Sequence, residues 1–280
     1  MNLVPYDSEL WTLYRGAYGN VCEEVKIVMG DIKDIPSQSK LRRLDLEEKD
    51  DYEIAYDNLW ANLLHQMDFY EATYIVIPYI VKLLEKNKDD FDMSFSIISH
   101  VGLCLATDIP SFTKGLNKEF LSCYQEVYNN YEEAVSIIGQ KTKDFIKNHL
   151  NDIKAIDSEE KWMFAISVMA ILGDKKAALV LYMTDWDELC LYIKCDKCGY
   201  YDESNYLDDD EHFLNYITPA PVAHWDGINY DDTYTWFSGF VHDLEIEEVK
   251  YLPYLYGTYA CPECGDKKAV IDFMKSYFPD

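Results

Sequence analysis

The chain has 280 residues, of which 49% are hydrophobic and 15% aromatic, a composition that predicts a folded protein with a sizeable core and excludes a disordered chain. Its 51 acidic and 25 basic side chains give a formal charge of -26. A surface of this charge repels phosphate backbones and anionic lipid headgroups, so no nucleic acid or membrane partner is expected. A basic protein partner would be attracted, although the same acidity also keeps a cytoplasmic protein soluble.

From residue 1 to about 185 the apolar residues recur mostly at helical spacing, which predicts an all-helical domain. A first helix begins after Ser8 and ends near Gly16 or Gly19, and a second runs to Gly30. The charged segment 31–51, interrupted by Pro36, predicts a surface loop.

Further helices are predicted over roughly 53–67, 74–84, 93–106 and 117–150. Pro78 lies inside the second of these, where the loss of one backbone hydrogen bond predicts a kink. A break is expected around Gly139 in the last of them. Ser158 is expected to cap another helix that ends at Gly173, and Asp174 to cap a short partner.

Successive helix pairs joined by short turns bury their apolar faces against the neighbouring pairs, which is how an α-solenoid forms. The fold class predicted for residues 1–185 is therefore a mainly α, HEAT-like helical-repeat array. No fixed repeat period is found, so an irregular helical bundle is the alternative.

After Trp186 the pattern changes, since Leu189, Leu191 and Ile193 alternate with more polar residues as in a strand. Residues 186–280 are predicted to form a small α+β, zinc-ribbon-like module. Between residues 199 and 260 there are 13 Asp or Glu residues, one Lys and no Arg, which predicts an acidic, aromatic-rich lobe. Within 244–256 a helix is expected up to Pro253, and a final helix is expected over 267–278.

The pattern Cys-x-x-Cys-Gly occurs twice, and its cysteines are Cys195, Cys198, Cys261 and Cys264. Two intervening residues let both sulfurs of a pair approach one ion, and the glycine permits a left-handed turn. The sequence therefore predicts one structural Zn²⁺ with four thiolate ligands and no open position for water or substrate. Ordinary buried thiols or a redox pair are the alternatives.

Four further cysteines lack a second ligand at metal spacing and are predicted to be core thiols: Cys22, Cys104, Cys123 and Cys190. Cys190 lies near the first pair in sequence and is the residue that could serve as a spare ligand.

No catalytic motif emerges, because the six histidines are scattered and the phosphate-binding, dinucleotide and serine-nucleophile patterns are missing. His65 is expected to form hydrogen bonds at a helix end. His212, His224 and His242 share the acidic lobe with several aspartates, so a second cation site or an acid-base pair could be assembled there. The alternative function is a hydrolase that uses a carboxylate with His224 or His242 in a cleft between the helical array and the lobe.

Residues 58–86, NLWANLLHQMDFYEATYIVIPYIVKLLEK, and 255–265, LYGTYACPECG, resemble a group of bacterial HEAT-repeat-like proteins with a cysteine-rich C-terminal module. The motif residues are Trp60, His65, Gln66, Tyr70, Ala72, Thr73 and Pro78. The resemblance implies a structural role for these residues and a function in protein interaction or toxin immunity. This chain departs from the pattern at Met67, where the group has glycine, which puts the local turn in doubt.

The N-terminal segment MNLVPYDSELW has no export signal, and no long uncharged apolar stretch occurs, so a cytoplasmic location is expected. Together these features predict a non-enzymatic scaffold with structural zinc, an immunity or inhibitory factor that binds a basic protein. A purely structural assembly subunit is a further alternative.

Overall fold

The computed structural model describes residues 1–33, 49–108, 121–184, 186, 190–206 and 213–277, without the side chains of 121–124 and 204–206. The predicted loop around Pro36, the start of the helix near Asn117 and the acidic run that includes His212 lie outside the described residues. The described chain is mainly helical, with small antiparallel sheets. It forms two compact units, which divide between Asp144 and Phe145. The predicted domain boundary at 185/186 does not coincide with this division and stays a prediction.

The helices of the first unit are α1 (Leu10–Leu13), α2 (Cys22–Met29), α3 (Asp51–Leu63), α4 (Ala72–Lys86), α5 (Phe91–Ala106) and α6 (Leu121–Lys154), the last of which continues into the second unit. As predicted, α2 ends at Gly30, whose φ of 85° is left-handed. Asp50 begins α3 with a capping box, in which its side chain and that of Glu53 accept each other's backbone N–H. Pro78 lies inside α4 without ending it.

Two expectations for the helices up to α6 are wrong. The helix predicted to continue to Met67 ends at Leu63, and the chain then forms a hairpin of β1 (Leu64–His65) and β2 (Asp68–Phe69). Gln66 and Met67 have φ of 53° and 65°, the left-handed values of a two-residue hairpin turn, so the chain reverses without glycine. In α6 the non-helical residue is His149 rather than Gly139.

The core of the first unit is built from apolar side chains of α2, α3, α4 and α5, among them Val25, Leu59, Ile77, Ile80 and Ile98. Twelve of the fifteen residues of α4 are buried, as its continuous apolar sequence predicts. One acidic side chain, Glu24 of α2, is enclosed within this core. The described part of this unit is therefore stabilised mainly by apolar burial, with one carboxyl group enclosed in it.

The elements of the second unit are α7 (Ser158–Leu172), α8 (Lys175–Met183), β3 (Cys190–Lys194), β4 (Tyr201–Tyr206), α9 (Thr233–Asp243), α10 (Leu252–Leu255), β5 (Thr258–Ala260), β6 (Lys267–Ala269) and α11 (Val270–Lys275). Short 3₁₀ turns cover Leu214–Tyr216 and Glu247–Tyr251. Asp174 caps α8 as predicted. The cap of α7 is Asp157 rather than Ser158, since its carboxylate accepts the N–H of Glu159 at 2.9 Å.

The acidic segment between the cysteine pairs contains α9, which the sequence prediction missed. Asp232 caps it by accepting the N–H of Thr235 at 2.7 Å, and Trp236, Phe237 and Phe240 are buried on one side. Phe237 lies against Trp162 of α7, with ring centroids 5.9 Å apart. The helix predicted from Leu244 up to Pro253 is instead a 3₁₀ turn, and α10 follows it and continues past Pro253 to Leu255. The helix predicted from Lys267 begins as strand β6.

Strands β3 and β4 form one antiparallel hairpin, and β5 and β6 form another. In the first hairpin Lys194 faces Tyr201, and in the second Ala260 faces Lys267. Each hairpin therefore closes directly beside one Cys-x-x-Cys-Gly sequence.

Among the helices of the described residues, none combines the length and the apolar character required to cross a bilayer.

Candidate metal centre

Each Cys-x-x-Cys-Gly sequence is the turn of a β-hairpin, and the two turns have the same backbone structure. In both, the first cysteine donates its N–H to the residue five positions later, and the glycine donates to the carbonyl of the first cysteine. The four bonds are Cys195–Tyr200 at 2.8 Å, Gly199–Cys195 at 2.9 Å, Cys261–Asp266 at 2.8 Å and Gly265–Cys261 at 2.9 Å. Gly199 and Gly265 have φ of 77° and 71°, which only glycine adopts without strain.

The two turns face each other and bring all four sulfurs within 4.8 Å of one another. The Sγ atoms of Cys195 and Cys264 are 3.7 Å apart, and those of Cys198 and Cys261 are 3.6 Å apart. Four thiolates at about 2.3 Å from a tetrahedral ion have sulfur–sulfur edges of about 3.8 Å. The sulfur cluster therefore has the size of a four-thiolate metal site.

The side chains in the cluster differ in how readily they ionise. Burial opposes ionisation of Cys261, but the backbone amides of Cys264 and Glu263, with the neighbouring thiols, outweigh it and lower its pKa to about 7. At Cys198 the backbone amide of Tyr200 favours the thiolate, but desolvation and the other thiols raise the pKa to about 12. Ionisation of one thiol therefore opposes ionisation of its neighbours, because like charges repel. A bound cation would offset this repulsion and allow all four thiols to be ionised together.

Two ion pairs cross from one turn to the other. Lys268 Nζ lies 2.6 Å from Asp196 Oδ1, and Lys197 Nζ lies 3.3 Å from Asp266 Oδ1. Both are near the surface and screened by solvent, so each contributes little to stability. Each hairpin contributes one lysine and one aspartate to these pairs, so together the pairs help to align the two turns.

The C-terminal helix joins the cluster to the helical part of the second unit. In α11, Phe273 is buried and lies edge-on to Tyr259 of β5, with centroids 5.5 Å apart. Lys275 of the same helix lies 2.9 Å from Asp174, the cap of α8. The second hairpin is therefore held against the helices by contacts that do not involve sulfur.

The remaining described cysteines are not part of the cluster. Cys22 and Cys104 are buried, as predicted for core thiols. Cys190, the predicted spare ligand, is also buried, and its thiol donates to the carbonyl of Glu203 at 3.1 Å. The side chain of Cys123 lies outside the described residues.

Two of the histidines expected to contribute to an acid-base pair line the same cavity, but the distance from His242 to Asp243 is too long for a hydrogen bond. His224 and His242 both line a surface cavity of about 350 Å³ in the second unit, together with Asp243. His242 is 79% exposed, and its Nδ1 lies 3.8 Å from Asp243 Oδ1, too far for a hydrogen bond. His65, expected at a helix end, lies in β1 instead, where its Nδ1 is 2.9 Å from the hydroxyl of Tyr18.

No protein-family model matches this chain, and no curated protein or solved structure is significantly similar to it.

Proposed function

We propose that this chain is a non-enzymatic protein-interaction scaffold whose C-terminal module is held together by one structural Zn²⁺. The ligands are Cys195, Cys198, Cys261 and Cys264. The observation that carries the proposal is the meeting of two identical hairpin turns, with sulfur–sulfur distances of 3.6 and 3.7 Å. A four-thiolate shell is typical of structural zinc and leaves no coordination position for a substrate.

The two facing hairpins support a zinc-ribbon-like module, because such modules pair two cysteine turns around one ion. Residues 199 to 260 connect the turns, so the ion would fix both ends of a long acidic segment. The helical remainder is proposed to be a HEAT-like array, on the resemblance of residues 58–86. The helices would provide an extended surface for binding another protein. The metal would hold both ends of the acidic segment in place.

A basic protein is the proposed partner because the chain carries a formal charge of -26. The acidic segment also exposes large apolar side chains, since Tyr216, Val222 and Ile228 are 73%, 77% and 81% exposed. Apolar side chains within an acidic surface favour binding to a protein that offers both positive charge and apolar contact. An immunity or inhibitory factor is the proposed form of this function, because the resemblance suggests toxin immunity. A cytoplasmic location is proposed with it, because paired cysteines without an export signal favour metal binding in a reducing compartment.

The proposal is tested by capturing partners from a native lysate and measuring association of the identified protein at several salt concentrations. Electrostatic capture predicts an association rate that falls roughly tenfold or more between low and high salt. The variant Asp231→Asn/Glu245→Gln/Glu247→Gln removes three exposed charges from the acidic segment and is expected to slow association severalfold.

The matched control removes three exposed charges from the first unit, as Asp89→Asn/Glu126→Gln/Glu132→Gln. It has the same net charge as the test variant and is expected to associate faster than that variant does. A partner that is not basic, association that does not depend on salt, or equal rates for the two variants would contradict the proposal.

A further inference from the structure

The four cysteines of the sulfur cluster differ in their exposure to solvent. Cys195 and Cys261, the first cysteine of each turn, are 0% and 2% exposed, whereas Cys198 and Cys264, the second of each turn, lie at the surface. A small oxidant dissolved in water can therefore reach one sulfur of each turn and not the other. Ligation of Zn²⁺ would keep all four sulfurs as thiolates, so access decides which sulfur reacts first.

Each exposed sulfur has a buried sulfur of the opposite turn beside it. The Sγ atoms of Cys198 and Cys261 are 3.6 Å apart, and those of Cys264 and Cys195 are 3.7 Å apart. The sulfurs of a disulfide are about 2.05 Å apart, so either contact closes by a movement of about 1.6 Å. Within a turn, backbone hydrogen bonds such as that from Gly199 N–H to the carbonyl of Cys195 leave less freedom for the same closure.

Aromatic contacts that do not involve sulfur hold the two hairpins side by side. The ring of Tyr277, just after α11, lies 5.3 Å from that of Tyr192 and 5.8 Å from that of Tyr201, both in the first hairpin. In α11 itself, Phe273 lies 5.5 Å from Tyr259 of the second hairpin. The C-terminal segment therefore contacts both hairpins, and the buried sulfur stays within reach after its exposed neighbour has been oxidised.

We propose that the sulfur cluster is a site of reversible oxidation, at which a peroxide joins each exposed cysteine to its buried neighbour on the opposite turn and Zn²⁺ is released. The bonds formed are Cys198–Cys261 and Cys195–Cys264. The inference rests on the proposed function, because it concerns the same zinc ligands. Each bond joins one turn to the other, so the ends of the acidic segment stay linked after the ion has left. A dithiol reductant followed by Zn²⁺ restores the reduced site.

Each disulfide is formed by a two-electron oxidation. The exposed thiolate attacks one oxygen of hydrogen peroxide, the O–O bond breaks, and a sulfenic acid forms while the leaving hydroxide is protonated to water. The buried thiolate then attacks the sulfenic sulfur, so the S–S bond forms, the S–O bond breaks and a second water is released. In total, two thiolates, two protons and one hydrogen peroxide give one disulfide and two water molecules.

The test uses the full wild-type chain, purified with a reductant that is then removed, and hydrogen peroxide in excess as the probe. Zinc content is measured before treatment, and released zinc is followed with a colorimetric chelator. Remaining thiols are blocked with N-ethylmaleimide, and the protein is digested with trypsin and a glutamate-specific protease. Cleavage after Lys197 separates the first pair of cysteines and cleavage after Glu263 the second, so mass spectrometry assigns every disulfide.

We expect release of about one zinc ion per chain. Four cysteines allow three connectivities, and the pairing of Cys198 with Cys261 and of Cys195 with Cys264 should exceed either other one at least about fivefold. Cys190→Ser is the matched control, because this thiol lies in the same hairpin but donates to the carbonyl of Glu203. It should release zinc and form the same disulfides as the wild type.

The inference is overturned if zinc stays bound in peroxide, if the cysteines become sulfinic or sulfonic acids without disulfides, if another connectivity predominates, or if Cys190→Ser changes the pairing. Each of these results is obtained on a protein that contains zinc at the start, so it leaves the proposed zinc site standing. A protein that holds no zinc before treatment contradicts the proposed function, and this inference with it.

Discussion

Replacing Cys198 with serine is expected to lower the free energy of unfolding of the second unit by on the order of 5 kcal/mol. A serine hydroxyl is a poor zinc ligand, and the three remaining thiols would form an incomplete shell. Cys198 lies at the surface and its side chain is exposed, so the substitution leaves no cavity behind. Hydrogen exchange measured by mass spectrometry would resolve the loss of protection in residues 190–206 and 258–277 from the first unit, whose protection should not change.

Cys190→Ser is the matched control, because this thiol lies in the same hairpin but outside the cluster. It is expected to cost less than about 1.5 kcal/mol and to leave metal binding intact. A chelator should reproduce the Cys198→Ser result in the wild-type protein, and added Zn²⁺ should reverse it. Equal losses in the two serine variants would show that the effect comes from thiol packing and not from a metal.

Glu24→Gln is expected to remove a pH dependence of stability from the first unit and to stabilise the protein above pH 7. Desolvation by burial raises the pKa of Glu24 from 4.5 to about 7. Its Oε1 accepts from Asn62 at 3.4 Å, and Oε2 has no hydrogen-bond partner among the described residues. Ionisation of this carboxyl inside the core is therefore unfavourable.

The direction follows from the raised pKa. The folded protein holds the Glu24 proton more tightly than the unfolded chain, so the contribution of this group to stability is fully present below about pH 4.5 and is lost as the pH rises through about 7. The total decrease is about 3 kcal/mol at most. Denaturant unfolding from pH 5 to 8 should show this decrease in the wild type and a flatter profile in Glu24→Gln.

Glu23→Gln removes a neighbouring charge from the same first turn of α2, so it controls for the helix dipole. Its side chain is only half buried, and its charge adds only a minor part to the raised pKa of Glu24, which desolvation dominates. The pH profile of Glu23→Gln should therefore keep most of the wild-type decrease. Parallel profiles for Glu24→Gln and the wild type would show that this carboxyl does not govern the pH dependence.

Short sequence motifs predicted a feature correctly where the same few residues determine both its chemistry and its backbone conformation. The Cys-x-x-Cys-Gly repeats indicated both the ligand type and the left-handed glycines, and the structure brings the two pairs together across residues 199 to 260. The end of α2 at Gly30 and the cap of α8 at Asp174 were likewise predictable, because each depends on one residue and its immediate neighbours.

The missed elements depend on interactions that a local pattern does not contain. Helix α9 is rich in Thr, Trp and Phe and contains Gly239, which have modest or poor helix propensity, and its buried side, including Phe237, packs on the distant α7. A signal was present in Asp232 followed by Trp236, Phe237 and Phe240. The turn at Met67 has a positive φ although it contains no glycine, so the usual sequence signal for such a turn is missing. A cavity between α3 and α5 forms because residues 57 and 104 lie close together in the fold, and their spacing along the chain does not predict this.

The most direct test of the metal-held module is the metal content of the purified protein, measured by inductively coupled plasma mass spectrometry. About one zinc ion per chain is expected for the wild type and for Cys190→Ser, and much less for Cys198→Ser and Cys264→Ser. A wild-type protein that is fully folded without any bound metal, or serine variants that keep the full zinc content, would contradict the account.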